Sequence, residues 1–169
     1  MPRSGAAKRI RLSPLRPRLA AMRKEDKAMD LIVEKEDVWI ASLEDKPGAL
    51  SAKLAALADA GADLDFVIAR RSAERPGTGV MFATPLRGDA ELKAASALGF
   101  SAGNRLHSVR VEGDNQPGIG GKITDLLAKA GINLRGFSGA VVGKRFVLHL
   151  AFDTAEIQEK AIQVVKKNR

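Results

Sequence analysis

The chain carries one motif twice, at a fixed separation of 70 residues. Pro47-Gly48 recurs as Pro117-Gly118, and Ala60-Gly61 recurs as Ala130-Gly131, with no gap between the copies. Of the 18 aligned positions from Pro47 to Leu64, 7 are identical. A fixed period of this kind is explained by internal duplication, so we expect two copies of one small supersecondary unit.

Each copy contains a helix whose two ends are marked. Proline is favoured in the first turn of a helix and glycine just after the last turn, which predicts helices from Pro47 to Gly61 and from Pro117 to Ala130. Apolar residues recur at helical spacing along one side of each helix. They are Leu50, Leu54 and Leu57 in the first copy, and Ile119, Ile123 and Leu126 in the second. Both helices are therefore expected to lie on a flat surface.

Strand patterns surround each helix in the same order, and a second helical pattern follows. The first copy has strands 38–43, 63–69 and 79–84, a helix 89–98 and a short strand at 100–102. The second copy has strands 106–111, 133–142 and 145–152 and a helix 154–165. The fold class is α+β, with two tandem ferredoxin-like (βαββαβ) plaits, antiparallel sheets and helices on one face, and we expect the second copy to lack its last strand. We place the domains at 36–103 and 104–169.

The net charge of +8 is concentrated at the start of the chain. Residues 1–28 hold nine Lys or Arg against Glu25 and Asp26, a net of +7, which leaves +1 for the other 141 residues. The segment has few large apolar residues, so we predict that it is disordered. It fits an electrostatic arm for nucleic acid or anionic lipid, a transit-like leader, or an upstream extension of the reading frame with the start at Met22 or Met29. We favour the extension, because Arg-rich tails without stacking aromatics are weak evidence for nucleic-acid binding.

Most catalytic and cofactor chemistries are not supported by the residue types present. The chain has no cysteine and two histidines, His107 and His149, each inside a strand pattern where a structural role is the usual one. The glycines of the 118–123 segment miss the spacing of both a dinucleotide fingerprint and a phosphate loop. Aromatics are 4% of the chain, which argues against an RNA-stacking sheet. We therefore expect no enzyme activity, cofactor or metal, and no nucleic-acid binding by the folded part. No apolar run approaches a membrane span, so we also expect a cytoplasmic protein with no membrane partner.

The turn before the first helix of each copy is the best candidate binding site. Amides at a helix N-terminus are unsatisfied donors, and glycine allows a ligand to approach the backbone closely. A small carboxylate is able to dock on the 48–50 or 118–120 backbone, while the side-chain oxygen of Asp63 or Asn133 accepts from an ammonium group. The competing interpretation is that these residues only form turns and close helix ends.

Together the Asp-x-Pro-Gly-x-Leu turn, the apolar helix and the Ala-Gly-Ile-Asn-Leu segment resemble the ACT domain, a small-molecule-binding regulatory module of amino-acid metabolism. The resemblance covers about residues 38–165 and implies effector amino acids held at the interface between paired domains. The implied ligand-facing residues are Asp45, Pro47, Gly48, Ala49, Leu50 and Asp63 in the first copy, and Asn115, Gln116, Pro117, Gly118, Ile119 and Asn133 in the second. To these the candidate 118–120 backbone described above adds Gly120. The second copy is closer to the family pattern, since Asp63 departs from its Asn.

These patterns lead to one functional hypothesis and one alternative. The hypothesis is a stand-alone tandem ACT protein that binds a small amino acid or related metabolite, acts as a regulatory or sensory subunit without catalysis, and forms a homodimer. A metabolic enzyme is its expected target. The alternative is a structural dimerisation module with no ligand.

Overall fold

The computed structural model describes residues 30–102 and 106–168. The predicted disordered segment 1–28 and the predicted domain boundary at 103–104 lie outside the described residues, so both stay predictions. In chain order the elements are β1 Leu31–Glu36, β2 Trp39–Glu44, α1 Ala49–Asp59, β3 Phe66–Arg71, β4 Thr78–Thr84, α2 Asp89–Ala97, β5 Ser101–Ala102, β6 His107–Asp114, α3 Ile119–Lys129, β7 Gly136–Val142, β8 Arg145–Phe152 and α4 Ala155–Lys167.

The elements form two antiparallel four-stranded sheets, which confirms the predicted tandem ferredoxin-like fold. The strand order is β3-β4-β2-β5 in the first unit and β1-β6-β8-β7 in the second. In the first sheet Phe82 of β4 pairs with Ile40 of β2 on one side and Ile68 of β3 on the other. This alternation places Ala41, Ala69 and the adjacent residues of β4 on the opposite face, where the helices pack.

Strand β1 was not predicted from the sequence. No strand follows α4 in the described residues, as expected, but the fourth place in the second sheet is not empty, because β1 occupies it and pairs with β6. Leu31 and Val33 point into the second core at 4% exposure each, while Ile32 and Glu34 face outward. The second unit is thus built from two pieces of chain that flank the first unit.

Both predicted helices begin later than expected. Pro47 and Pro117 lie in turns outside the helices, and the N-cap residues Gly48 and Gly118 each have φ of 84°, in the left-handed region. Because only glycine adopts this conformation without strain, the Pro-Gly pair forms the turn that aims the chain into the helix.

The predicted helix ends are confirmed. Gly61 has φ of 92° and its amide donates to the Ala58 carbonyl, while the Ala62 amide donates to the Leu57 carbonyl at 3.0 Å. Gly131 repeats this pattern in the second copy, with the same two types of bond. Paired bonds of this kind define the glycine-terminated helix end that the sequence indicates.

The apolar stripes of the two helices are buried to different depths. In α1 only Leu57 is fully buried, and Leu50 and Leu54 pack on the core from partly exposed positions. In α3 the buried residues include Ile119, Ile123 and Leu127. The predicted Leu126 is only partly buried, so Leu127 takes the third position in the stripe.

The faces of the two sheets that carry no helices meet at one corner. The ring of Phe66 in β3 stacks on His149 of β8 with centroids 4.0 Å apart. Nδ1 of His149 lies 2.8 Å from Oε2 of Glu36 at the end of β1, so the imidazole donates to that carboxylate. Nη1 of Arg110 in β6 lies 3.8 Å from Oδ2 of Asp65, which precedes β3. His149 therefore has the structural role expected for a strand histidine.

Among the described helices, none combines the length and the apolar character that crossing a membrane requires.

Candidate functional site

The two Pro-Gly turns have the same backbone geometry and the same anchor. The Asp45 amide donates to the Gly77 carbonyl in the β3–β4 hairpin at 3.1 Å, and the Asn115 amide donates to the Lys144 carbonyl in the β7–β8 hairpin at 2.8 Å. A second backbone hydrogen bond closes each turn. The Ala49 amide donates to the Lys46 carbonyl in the first copy, and the Ile119 amide donates to the Gln116 carbonyl in the second. Each turn is thus fixed to the hairpin beside it before the helix begins.

The helices after these turns have no side-chain cap. The first turns of α1 and α3 contain no acidic residue, and no side chain accepts from their amides. Helix α4 differs, because the hydroxyl of Thr154 accepts from the Ile157 amide at 3.2 Å. A Cβ built on Gly48 or Gly118 would meet nothing within 4 Å, so the approach to the bare amides is open. The turns have the geometry of an anion site.

The exposure of the predicted residues separates backbone roles from side-chain roles. Asp45, Pro47, Gly48, Asn115, Gln116, Pro117 and Gly118 are exposed, whereas Ala49, Leu50 and Gly120 are half-buried. Ile119 is buried in the second core. Leu50 and Ile119 therefore belong to the cores through their side chains, and the Ile119 amide donates to the Gln116 carbonyl within the turn.

Charge distinguishes the two turns. Asp45 places a carboxylate in the first turn, where Nε of Arg71 binds it at 2.9 Å, while Asn115 is neutral at the matching position. Glu44 is paired with Lys46, and the hydrogen bond from that ammonium group lowers the pKa of the Glu44 carboxyl. The first turn therefore presents an ion pair at the position where the second presents a neutral amide.

Asp63 and Asn133 are exposed but lie far from the turn of their own unit. Each follows the C-terminal end of a helix of 11 residues, and the turn precedes its N-terminal end. Such a helix is about 16 Å long, which exceeds the span of a small amino acid several-fold. The structure does not bring these residues together with the turn of their own unit, so one ligand requires parts of two units.

An exposed aromatic residue lies beside the second turn, and sequence reasoning missed it. Phe137 on β7 is 49% exposed, and its Cζ would lie 3.6 Å from a Cβ built on Gly120. Val141 and Val142, farther along this edge strand, are 54% and 73% exposed. The signal was present in the sequence as an aromatic between two glycines on a strand whose pattern does not alternate cleanly.

A cavity of about 360 Å³ lies between the two sheets, and none of the predicted site residues lines it. Its walls come from both units, which explains why no local pattern indicates it. The lining residues are Val38, Ile40, Phe66, Ile68, Arg70, Phe82, Leu106, Ser108, Arg135, Gly136, Phe137, Ser138, His149 and Ala151.

Across residues 30–102 and 106–168, no group of three or more acidic or histidine side chains is placed to hold a metal ion.

No protein-family model matches the chain, and no curated protein matches its sequence. Among solved structures, a protein from Bacteroides thetaiotaomicron aligns with a TM-score of 0.65 at 17% identity, over 80% of this chain and 89% of that one. The regulatory subunit of aspartate kinase from Thermus thermophilus aligns with a TM-score of 0.56 at 19% identity, over 84% and 99%. A structure of aspartokinase alpha and beta subunits aligns with a TM-score of 0.55 at 21% identity, over 82% and 95%.

The fold is ACT-like. At these identities the likeness concerns the arrangement of strands and helices, and it agrees with the two antiparallel sheets described above.

Proposed function

We propose that this chain is a regulatory protein that binds a small amino acid through its Pro-Gly turns and has no catalytic activity. The observation that carries the proposal is the bare, open helix start at Gly118, repeated at Gly48, in a chain that does cap another helix with a side chain. The likeness to a regulatory subunit of aspartate kinase supports it, since that protein is named for regulation rather than for catalysis.

In the proposed site the ligand carboxylate accepts hydrogen bonds from the amides of Gly120 and Gly121, since the Ile119 amide already donates to the Gln116 carbonyl. The ammonium group binds the side-chain oxygen of Asn133 from another unit, because the Asn133 of the same unit lies at the far end of α3. The first turn, with Asp63 as the matching ammonium partner, forms a weaker site because Asp63 departs from the Asn of the ACT pattern.

The unit that completes the site comes from a second copy of the chain in this proposal. Strand β7 is at the edge of its sheet and presents Phe137, Val141 and Val142 to solvent beside the second turn. An exposed apolar edge strand is a surface on which another chain pairs. We therefore propose a homodimer, and a metabolic enzyme as the regulated partner.

The same edge also favours the alternative, a dimerisation module without a ligand. Pairing through β7 needs only its backbone groups and its three exposed apolar side chains. The two functions differ in whether the turns bind anything, and a ligand titration distinguishes them.

The experiment is a thermal-shift panel of the twenty amino acids on the full chain, followed by paired variants. A ligand at a hundred times its Kd stabilises the folded state by about 2.7 kcal/mol. We expect Gly118→Asp to abolish the response, because its carboxylate would stand where the ligand carboxylate binds. Gly118→Asn is the matched control, since both residues tolerate a positive φ and only one adds charge.

The expected result is a response that Gly118→Asn retains and Gly118→Asp loses, with Gly48→Asp having the smaller effect. If no amino acid shifts the unfolding temperature, the dimerisation module is the better account. If both Gly118 variants bind as the natural chain does, the second turn is not the site.

A further inference from the structure

The cavity between the two sheets is separate from the Pro-Gly turns. The turns lie at the N-terminal ends of α1 and α3, while the cavity opens between the sheet faces that carry no helices. Its volume of about 360 Å³ is within the range of small-molecule sites. An inference about this cavity therefore does not depend on the proposed amino-acid site.

The cavity walls are apolar and their charged groups have one sign. Eight lining residues are aliphatic or aromatic, and the charged side chains are Arg70 and Arg135. No aspartate or glutamate of the described residues lines the cavity. A cation would find no carboxylate among the lining residues, whereas an anion would find the Arg70 guanidinium.

Arg70 is the guanidinium available to a ligand. Its Cζ lies 5.7 Å from the ring centroid of Phe82, and among the described residues it has no carboxylate within ion-pair distance. Arg135 differs, since its Nη1 binds Asp153 at 3.1 Å. Arg71, the next residue on β3, points to the other face and binds Asp45.

The opposite wall is fixed before any ligand arrives. His149 is 8% exposed, stacks on Phe66 and donates to Glu36. The Ser108 hydroxyl lies 3.4 Å from the same carboxylate oxygen. A wall held by several contacts loses little conformational freedom on binding, which favours affinity.

We propose that this cavity binds a small organic acid with an aromatic or branched apolar body. The carboxylate pairs with Arg70, and the body lies between the apolar faces of the two sheets. A free amino acid is disfavoured, because no carboxylate lines the cavity to accept from its ammonium group, and Arg70 would repel that group. The cavity therefore selects a different ligand class from the turns.

The test is calorimetric titration of the full chain with phenylacetate, phenylacetamide and phenethylamine, which share one aromatic body. We expect the acid to bind, the amide to bind about tenfold more weakly, and the amine not to bind, since a charge-assisted hydrogen bond is about twice as strong as a neutral one. Arg70→Gln should weaken phenylacetate binding about tenfold or more. Arg71→Gln is the matched control and should leave the affinity unchanged.

Two further variants keep the test independent of the proposed function. Ser138→Phe fills the cavity and should abolish binding of acid and amide alike, with its folding checked by circular dichroism. Gly118→Asp should leave phenylacetate binding unchanged. The proposal is overturned if phenylacetate does not bind at millimolar concentration, if the amine binds as well as the acid, or if Arg70→Gln and Arg71→Gln have equal effects.

Discussion

The two copies of the repeat share a turn but not a core. Both begin their helix from a left-handed glycine anchored to the neighbouring hairpin. Within the described residues, however, the core of the second unit contains 15 buried apolar residues and that of the first unit contains 7. The comparison shows that duplication has preserved the local backbone signal, while the packing of each copy depends on what surrounds it.

The elements that follow and flank the shared turn explain the difference. The fourth strand has six residues in the second sheet, where it is β1, and two in the first, where it is β5. The closing helix α4 has 13 residues and α2 has 9. Phe146 and Phe152 are fully buried in the second core, whereas the fully buried residues of the first are Leu57, Met81 and two alanines. The second unit therefore buries more apolar surface per residue and is expected to be the more stable.

Removal of β1 should have the largest effect on the difference in stability between the two units. A chain beginning at Asp37 loses the side chains of Leu31 and Val33 from the second core and leaves β6 as an unpaired edge. Burial of each such side chain contributes about 1.5–3 kcal/mol, so we expect a loss of about 5 kcal/mol in the free energy of unfolding. Urea unfolding followed by circular dichroism measures the change.

A chain beginning at Met29 is the matched control, because it keeps β1. We expect its unfolding curve to match that of the full chain, in line with the predicted disorder of residues 1–28. Unchanged stability in the chain that begins at Asp37 would show that β1 adds nothing to the second core.

The substitution Phe66→Ala tests whether the two units unfold together. The substitution removes the stack on His149, and we expect it to cost about 2 kcal/mol, since the ring is half-buried and makes an aromatic pair. Trp39 is the single tryptophan and lies in the first unit, so its fluorescence reports that unit alone. After the substitution its transition should separate from that seen by circular dichroism.

Val67→Ala is the control for that experiment, because Val67 is the next residue on β3 and faces away from His149. It should keep the two transitions coincident. If Phe66→Ala also leaves them coincident, the stack does not couple the units.

The smallest expected changes in stability come from the first turns of the helices. A side chain caps the start of α4, whereas no side chain caps the start of α3. We expect Thr154→Ala to lower the free energy of unfolding by about 1 kcal/mol, because the Ile157 amide loses its acceptor. The same hydroxyl donates to Glu156 and lowers the pKa of that carboxyl. Stability from this bond is present above the ordinary pKa of the carboxyl and is lost as the pH falls through the lowered one.

The unfolding temperature of Glu156→Gln should therefore lie below that of the natural chain near neutral pH, and the two should converge at acid pH. Thermal unfolding across a pH series measures this. A difference that grows on acidification would contradict this sign. The free energies of unfolding of Gly118→Asn and Thr154→Ala can then be compared. The comparison shows whether the uncapped start of α3 tolerates a substitution better than the capped start of α4.

The sequence allowed much of the fold and part of the candidate site to be predicted. Helix ends were confirmed at Gly61 and Gly131, and most strands were placed within a few residues, because turn chemistry and apolar periodicity are local properties. The predicted role of the turns stays a prediction. Leu50 and Ile119 illustrate the limit, since their side chains pack in the cores although both residues were predicted to face a ligand.

The repeat, the Pro-Gly turns and the element order within each copy follow from local sequence patterns. Three features become evident only in the folded chain: β1 completes the second sheet, Asp63 and Asn133 lie a helix length from the turns of their own units, and a cavity lies between the sheets. These features depend on residues that are far apart in the sequence. Val33 pairs with Val111, and Phe66 stacks on His149, across stretches of chain in which no local propensity specifies the partner.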